Sequence, residues 1–164
     1  MWAYESVFYQ IYPLGFCGAP FENDGILTHR ILKVNDWIEH IKNLGANAIY
    51  FSPVFESDTH GYNTRNYKKI DCRLGTNDDF KEVCKNLHKN NIKVYGAPIL
   101  PFGTSSFYSE NSEKVRQLIN QWMRSSESGV DGIIDFENAV ADPANPQNLL
   151  AKYTNKDDGI HPYN

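Results

Sequence analysis

The chain is poor in cysteine, carries no long apolar run and has no basic excess, and each shortage excludes a class of protein. Cys17, Cys72 and Cys84 are odd in number and far apart, which fits reduced thiols rather than a disulfide framework or a zinc centre. No apolar stretch approaches the roughly 18 residues that a membrane-crossing helix needs, so no membrane partner is expected. Met1-Trp2-Ala3-Tyr4-Glu5 lacks the basic segment and small-residue cleavage site of a signal peptide, so a cytoplasmic location is expected. Lys and Arg number 16 against 20 Asp and Glu, and a net charge of −4 offers no nucleic-acid surface. No cofactor and no metal are expected.

What is present is unevenly distributed. Residues 1–94 hold 11 basic and 11 acidic side chains, whereas residues 95–164 hold 5 and 9 and so carry the whole net charge. At 164 residues the chain fits a single α/β domain, built from a 1–94 segment and a 95–164 segment.

Short β-rich runs alternate with amphipathic ones. Val7 to Tyr12, Asn47 to Phe51, Ile92 to Ala97 and Val130 to Phe136 read as strands. Val34, Trp37, Ile38 and Ile41 recur at helical spacing, with Gly45 suited to the end of that helix. Asn77 is placed to cap a second helix carrying Phe80, Val83, Cys84 and Leu87. Asn111 or Ser112 opens a third, with Val115, Leu118, Ile119 and Trp122 facing inward. A short helix is expected near Gln147 to Lys152, and a polar loop from about 53 to 76. The alternation implies βαβ units and a parallel sheet of about four strands flanked by helices. Two topologies satisfy it, a partial TIM barrel with order 1-2-3-4 and a flavodoxin-like sheet with order 2-1-3-4. The first leaves a concave sheet face uncovered and favours a homodimer; the second suits a monomer.

Two stretches resemble known families. The first runs through Val7-Phe8-Tyr9-Gln10-Ile11-Tyr12-Pro13, Leu44-Gly45-Ala46-Asn47-Ala48-Ile49-Tyr50-Phe51-Ser52-Pro53, His60-Gly61-Tyr62-Asn63-Thr64-Arg65-Asn66-Tyr67 and Ile70-Asp71-Cys72-Arg73-Leu74-Gly75-Thr76. These resemble the opening βα units of the α-amylase family of glycoside hydrolases. The resemblance implies that Tyr62 packs on a sugar ring, with His60 and Tyr67 in the same substrate-binding loop, and makes a weakly bound carbohydrate an expected partner. After strand three the family's Asp-to-Asn-His motif is replaced by Tyr95-Gly96-Ala97-Pro98-Ile99-Leu100-Pro101. Glu56 and Asp58 read as solvated rather than catalytic.

The second stretch runs through Lys93-Val94-Tyr95-Gly96-Ala97-Pro98, Val130-Asp131-Gly132-Ile133-Ile134-Asp135-Phe136 and Asp158-Gly159-Ile160-His161-Pro162. It resembles the last third of an SGNH/GDSL esterase, which implies that His161 is a general base and Asp158 its orienting carboxylate. That family's Gly-Asp-Ser nucleophile is not present. Ser52, Ser105 and Ser106 read as ordinary hydroxyls. The two resemblances meet at Lys93-Val94, as in a chimera. The expected function is thus a hydrolase-derived scaffold with no complete active site; the alternatives are a weak esterase using Asp158 and His161, or a carbohydrate-binding remnant.

Overall fold

The computed structural model describes residues 2–162, and its first elements form where the apolar patterns place them. Phe8–Ile11 is strand β1. Pro13, which has no N–H to give to a ladder, ends it and opens the one-turn helix α1, Pro13–Phe16. Helix α2, Lys33–Asn43, buries Val34, Ile38 and Ile41. Gly45 follows it at φ +78°, the left-handed turn by which a glycine closes a helix. Strand β2 is Ala48–Phe51.

The expected loop at 53–76 instead holds an antiparallel hairpin, β3 (Phe55–Ser57) and β4 (Thr64–Ile70). Arg65 to Lys69 are all exposed, so β4 has no apolar alternation by which to be recognised. Helix α3, Asn77–Lys89, is capped by Thr76 rather than Asn77. Thr76 Oγ1 accepts from the Asp79 N–H at 3.1 Å, and the Asp79 carboxylate accepts from the Thr76 N–H at 2.7 Å. Asn77 faces the other way and accepts from Ile70 N–H. Strand β5 is Lys93–Gly96.

β1 pairs with β2 and β2 with β5, both parallel, with Phe8 opposite Ala48 and Ala48 opposite Lys93. Alternation along the strands puts Ile11, Ile49 and Val94 on the side of α2 and α3, where they pack with Ile31, Ile41, Val83 and Leu87. The opposite face is only partly covered: Ala48 and Tyr95 are buried on it, while Phe8 is 39%, Tyr12 40% and Tyr50 41% exposed.

The chain divides into two compact units, Met1–Tyr95 and Gly96–Asn164. In the second, Ser109 and Ser112 form a capping box for helix α4, Glu110–Arg124, which begins one residue before the expected Asn111. The expected strand 130–136 shrinks to β6, Gly132–Ile133. Asp135 draws the chain out of the ladder by accepting the Asn138 N–H at 3.2 Å, capping α5, Phe136–Val140. Ile134 N–H donates to Gly96 O at 2.9 Å, so the four-stranded sheet has the order β1-β2-β5-β6. That is the order of a partial barrel, and it excludes the flavodoxin-like alternative. Residues 147–152 form no helix; Leu149 bridges Ala141 in antiparallel fashion.

The expected orientation of α4 is reversed. Val115 is 49%, Leu118 66% and Trp122 42% exposed, while Glu113, Arg116 and Asn120 are buried. Arg116 donates to Glu113 at 2.8 and 2.6 Å, to Ile99 O at 3.2 Å and to Glu137. Asn120 donates to Ile99 O at 2.8 Å and to Glu137 at 2.9 Å, and accepts the Ile99 N–H at 2.7 Å. Turning the helix over would gain about 1.5–3 kcal/mol per buried apolar side chain. It would also strip a buried guanidinium and two carboxylates of their partners, at several kcal/mol per ion. The polar face wins.

Candidate functional site

The loop between β3 and β4 carries the aromatic candidates. His60 and Tyr62 come together: their ring centroids lie 5.9 Å apart, and His60 Nδ1 accepts the Tyr62 N–H at 3.2 Å. Gly61 between them has φ +95°, a conformation glycine adopts without strain. Tyr62 is 69% exposed. Asn63 braces the turn, its Oδ1 accepting from Thr59 N–H at 3.2 Å and its Nδ2 donating to Thr59 Oγ1 at 3.1 Å. Tyr67, on β4, packs instead at a tilt against Phe55, their ring centroids 5.7 Å apart.

The base of this loop is held by a group that sequence reasoning missed. Asp71 and Arg73 are both fully buried. Arg73 donates to both Asp71 oxygens at 2.9 and 2.7 Å, to Ser57 Oγ at 3.0 Å, and to Pro20 O and Phe21 O at 2.9 and 2.6 Å. Asp71 Oδ2 also accepts from the N–H and Oγ of Ser57, each at 3.0 Å. Burial pushes the Asp71 carboxyl up, but the bonds from Arg73 and Ser57 outweigh it and hold the group below its ordinary value. The only sequence signal was two opposite charges two residues apart, which have no common face outside a strand or turn.

Nearby carboxylates are likewise engaged. Glu56, expected to be solvated, is largely covered, with 13% of its side chain exposed; it accepts the Cys72 N–H at 2.8 Å and faces Lys69 at 3.3 Å and Arg65 at 3.8 Å. The hairpin, invisible in the sequence, is what brings Lys69 and Arg65 alongside it. Asp58 is the exposed carboxylate that was expected, paired with Arg65 at 3.0 Å. Glu56, Asp71 and Cys72 place ligand atoms within 4.8 Å of one another. Arg73 and Lys69 already neutralise the two carboxylates, and burial together with Glu56 raises the Cys72 thiol above its ordinary value, so the cluster is a poor host for a cation.

In the second unit His161 Nδ1 lies 2.7 Å from Asp158 Oδ2, and Asp158 Oδ1 accepts the N–H groups of Ile160 and His161 at 2.8 and 3.0 Å. The bond from His161, then those backbone donors, pull the Asp158 carboxyl down to about 2. The His161 side chain is 75% exposed. Of the serines, Ser52 is buried and its Oγ accepts from Gln10 Nε2 at 3.0 Å. Ser105 is buried and accepts from Phe107 N–H at 3.2 Å, while Ser106 borders an open depression shared with Asp158 and Gly159.

The first unit thus joins a parallel βα frame to an exposed aromatic loop beyond its strands. The description "Alpha amylase, catalytic domain" matches residues 10–99, more than half of the chain, and the chain belongs to the α-amylase family. It is similar to the oligo-1,6-glucosidase of Heyndrickxia coagulans, 38% identical over 95 residues that make up 57% of this chain and 16% of that protein. It is also similar to a cyclomaltodextrinase of Bacillus sp., 32% identical over 109 residues, covering 57% of this chain and 20% of that one. The chain thus spans no more than about a fifth of the length of these curated relatives. Among solved structures, the isomaltulose synthase SmuA from Protaminobacter rubrum is 30% identical with a TM-score of 0.49, covering 61% of this chain and 18% of that one.

Proposed function

We propose that the chain is a glycosidase-derived α/β scaffold that binds α-glucan at the Tyr62 loop without hydrolysing it. The observation that supports this is the state of the carboxylates around an exposed aromatic ring. Glu56, Asp58 and Asp71 are each matched by Lys69, Arg65 or Arg73. Glycoside hydrolysis requires two opposed carboxyl groups free to protonate and to attack, about 5–5.5 Å apart for retention or about 6.5–9.5 Å for inversion. Carboxylates locked to cations serve neither role, whereas an exposed tyrosine ring beside a histidine still stacks on a sugar. Maltoheptaose titration of the pure protein tests the reading: binding that Tyr62→Ala weakens, with no reducing sugar released from starch, is expected. Release of reducing sugar would overturn it.

A second reading rests on the Asp158–His161 contact, which is the orienting half of a hydrolytic triad. As a weak esterase of SGNH type the second unit would cleave p-nitrophenyl acetate through His161. Without a nucleophile elbow and oxyanion donors the rate stays near background; a rate well above it, abolished by His161→Ala, would make this the primary function. For assembly, we extend the proposal to a homodimer formed across the open sheet face that carries Phe8 and Tyr50. Light scattering at micromolar concentration decides it, since a clean mass of 18.8 kDa excludes the pair.

A further inference from the structure

We infer that Tyr12 is the positioning residue for the Tyr62 ring, a role that rests on the reading of Tyr62 as a sugar-stacking group. Tyr12 stands immediately after β1, and Pro13 behind it fixes the exit of the chain from the strand. Gly15 makes room for its ring. A Cβ at position 15 would lie 2.8 Å from Tyr12 Cδ1 and 3.1 Å from Cε1, so any side chain there displaces the phenol. Directed this way, the Tyr12 hydroxyl donates to the His60 carbonyl at 3.0 Å, across 48 residues of sequence.

His60 is the residue that carries Tyr62. Its Nδ1 holds the Tyr62 N–H, and its ring lies beside the Tyr62 ring. The side-chain hydrogen bonds of Thr59, Asn63 and Thr64 stay inside the loop. They fix its shape, while Asn23 N–H, donating to Asp58 O at 2.8 Å, holds only its start. The Tyr12 hydroxyl therefore ties the loop tip to the end of β1, with Pro53 packed beneath Gly61 as the steric stop: a Cβ on Gly61 would meet Pro53 Cβ at 3.3 Å. Tyr12 does this through the His60 backbone, two residues before the sugar-stacking ring, which makes its contribution one of placement.

The test compares maltoheptaose affinity and the His60 imidazole NMR signals in the wild type and in Tyr62→Ala, Tyr12→Phe and Gly15→Ala variants. Tyr12→Phe removes one oxygen from a half-exposed residue and leaves the fold intact. It is expected to weaken binding about fivefold, the worth of one neutral hydrogen bond, and to displace the His60 signals; Gly15→Ala does the same by moving the ring. Undisturbed affinity in Tyr12→Phe, where Tyr62→Ala is clearly weakened, overturns the role of Tyr12 alone. So does weakened affinity with His60 signals where the wild type has them. Unchanged affinity in Tyr62→Ala removes the reading of Tyr62 itself, and the role of Tyr12 falls with it.

Discussion

The two compact units bury opposite kinds of surface. Met1–Tyr95 is organised around Ile31, Ile41, Ile49, Val83 and Leu87, each fully buried, and it also holds a fully buried ion pair, Asp71–Arg73. In Gly96–Asn164 the charged and amide side chains of Glu113, Arg116 and Asn120 are buried alongside Pro98, Pro101, Ser105 and Leu149, while Val115, Leu118, Trp122, Phe107 and Phe136 face outward. The first unit is stabilised by removing apolar area from water, which is additive and tolerant of local error. The second depends on a network in which each partner satisfies another's charge, and such networks are weak sources of net stability but costly to break. The match to the α-amylase family ends at residue 99, close to where one style of core gives way to the other.

That contrast can be broken most forcefully at its ion pairs. Asp71→Ala leaves the wholly buried Arg73 guanidinium without its carboxylate, and Arg116→Ala leaves the buried Glu113 without its cation, although Glu137 keeps Arg124; each is expected to cost about 3–5 kcal/mol in urea unfolding. Hydrogen exchange should place the first loss in the first unit and the second in the other, and a shift shared equally by both would mean that they unfold as one. Leu87→Ala, at a site with no exposure, is expected to cost about 2–5 kcal/mol. Leu118→Ala and Trp122→Ala, by contrast, should stay within about 1 kcal/mol, as for surface positions. A loss of about 3–5 kcal/mol from Trp122→Ala would show that α4 buries its apolar side after all.

The smallest expected effect concerns His161. The folded Asp158 carboxyl titrates at about 2 against an ordinary 3.8, so the contact with His161 is fully present above about pH 4 and is lost as pH falls through about 2. Carbon-detected NMR of the Asp158 carboxyl should find that low midpoint, and a midpoint near 3.8 would show that the pair does not form in solution. The group is too exposed for its titration to alter stability measurably.

Local chemistry was enough for much of this molecule. Pro13 after β1, the 3.6-residue spacing of α2 and α3 and Gly45 at the end of α2 each act over a few residues, so they could be read in order along the chain. The same holds for the placement of His60 with Tyr62 and of Asp158 with His161, neighbours by two and three positions. Tertiary structure alone decided the rest, because the deciding partners are remote. α4 turned its polar face inward because Ile99 and Glu137 lie up to 21 residues away with bonds to give. β4 formed under charged, exposed side chains because β3 supplied a ladder. Asp71 and Arg73 became a buried hub only once Pro20, Phe21 and Ser57 closed around them. The alternation along the chain foretold a parallel sheet, but the choice between the orders 1-2-3-4 and 2-1-3-4, and the reach of Tyr12 to His60 across 48 residues, had no local signature. Periodicity tells which face of an element is apolar, but which face is buried depends on where the partners for its polar groups stand.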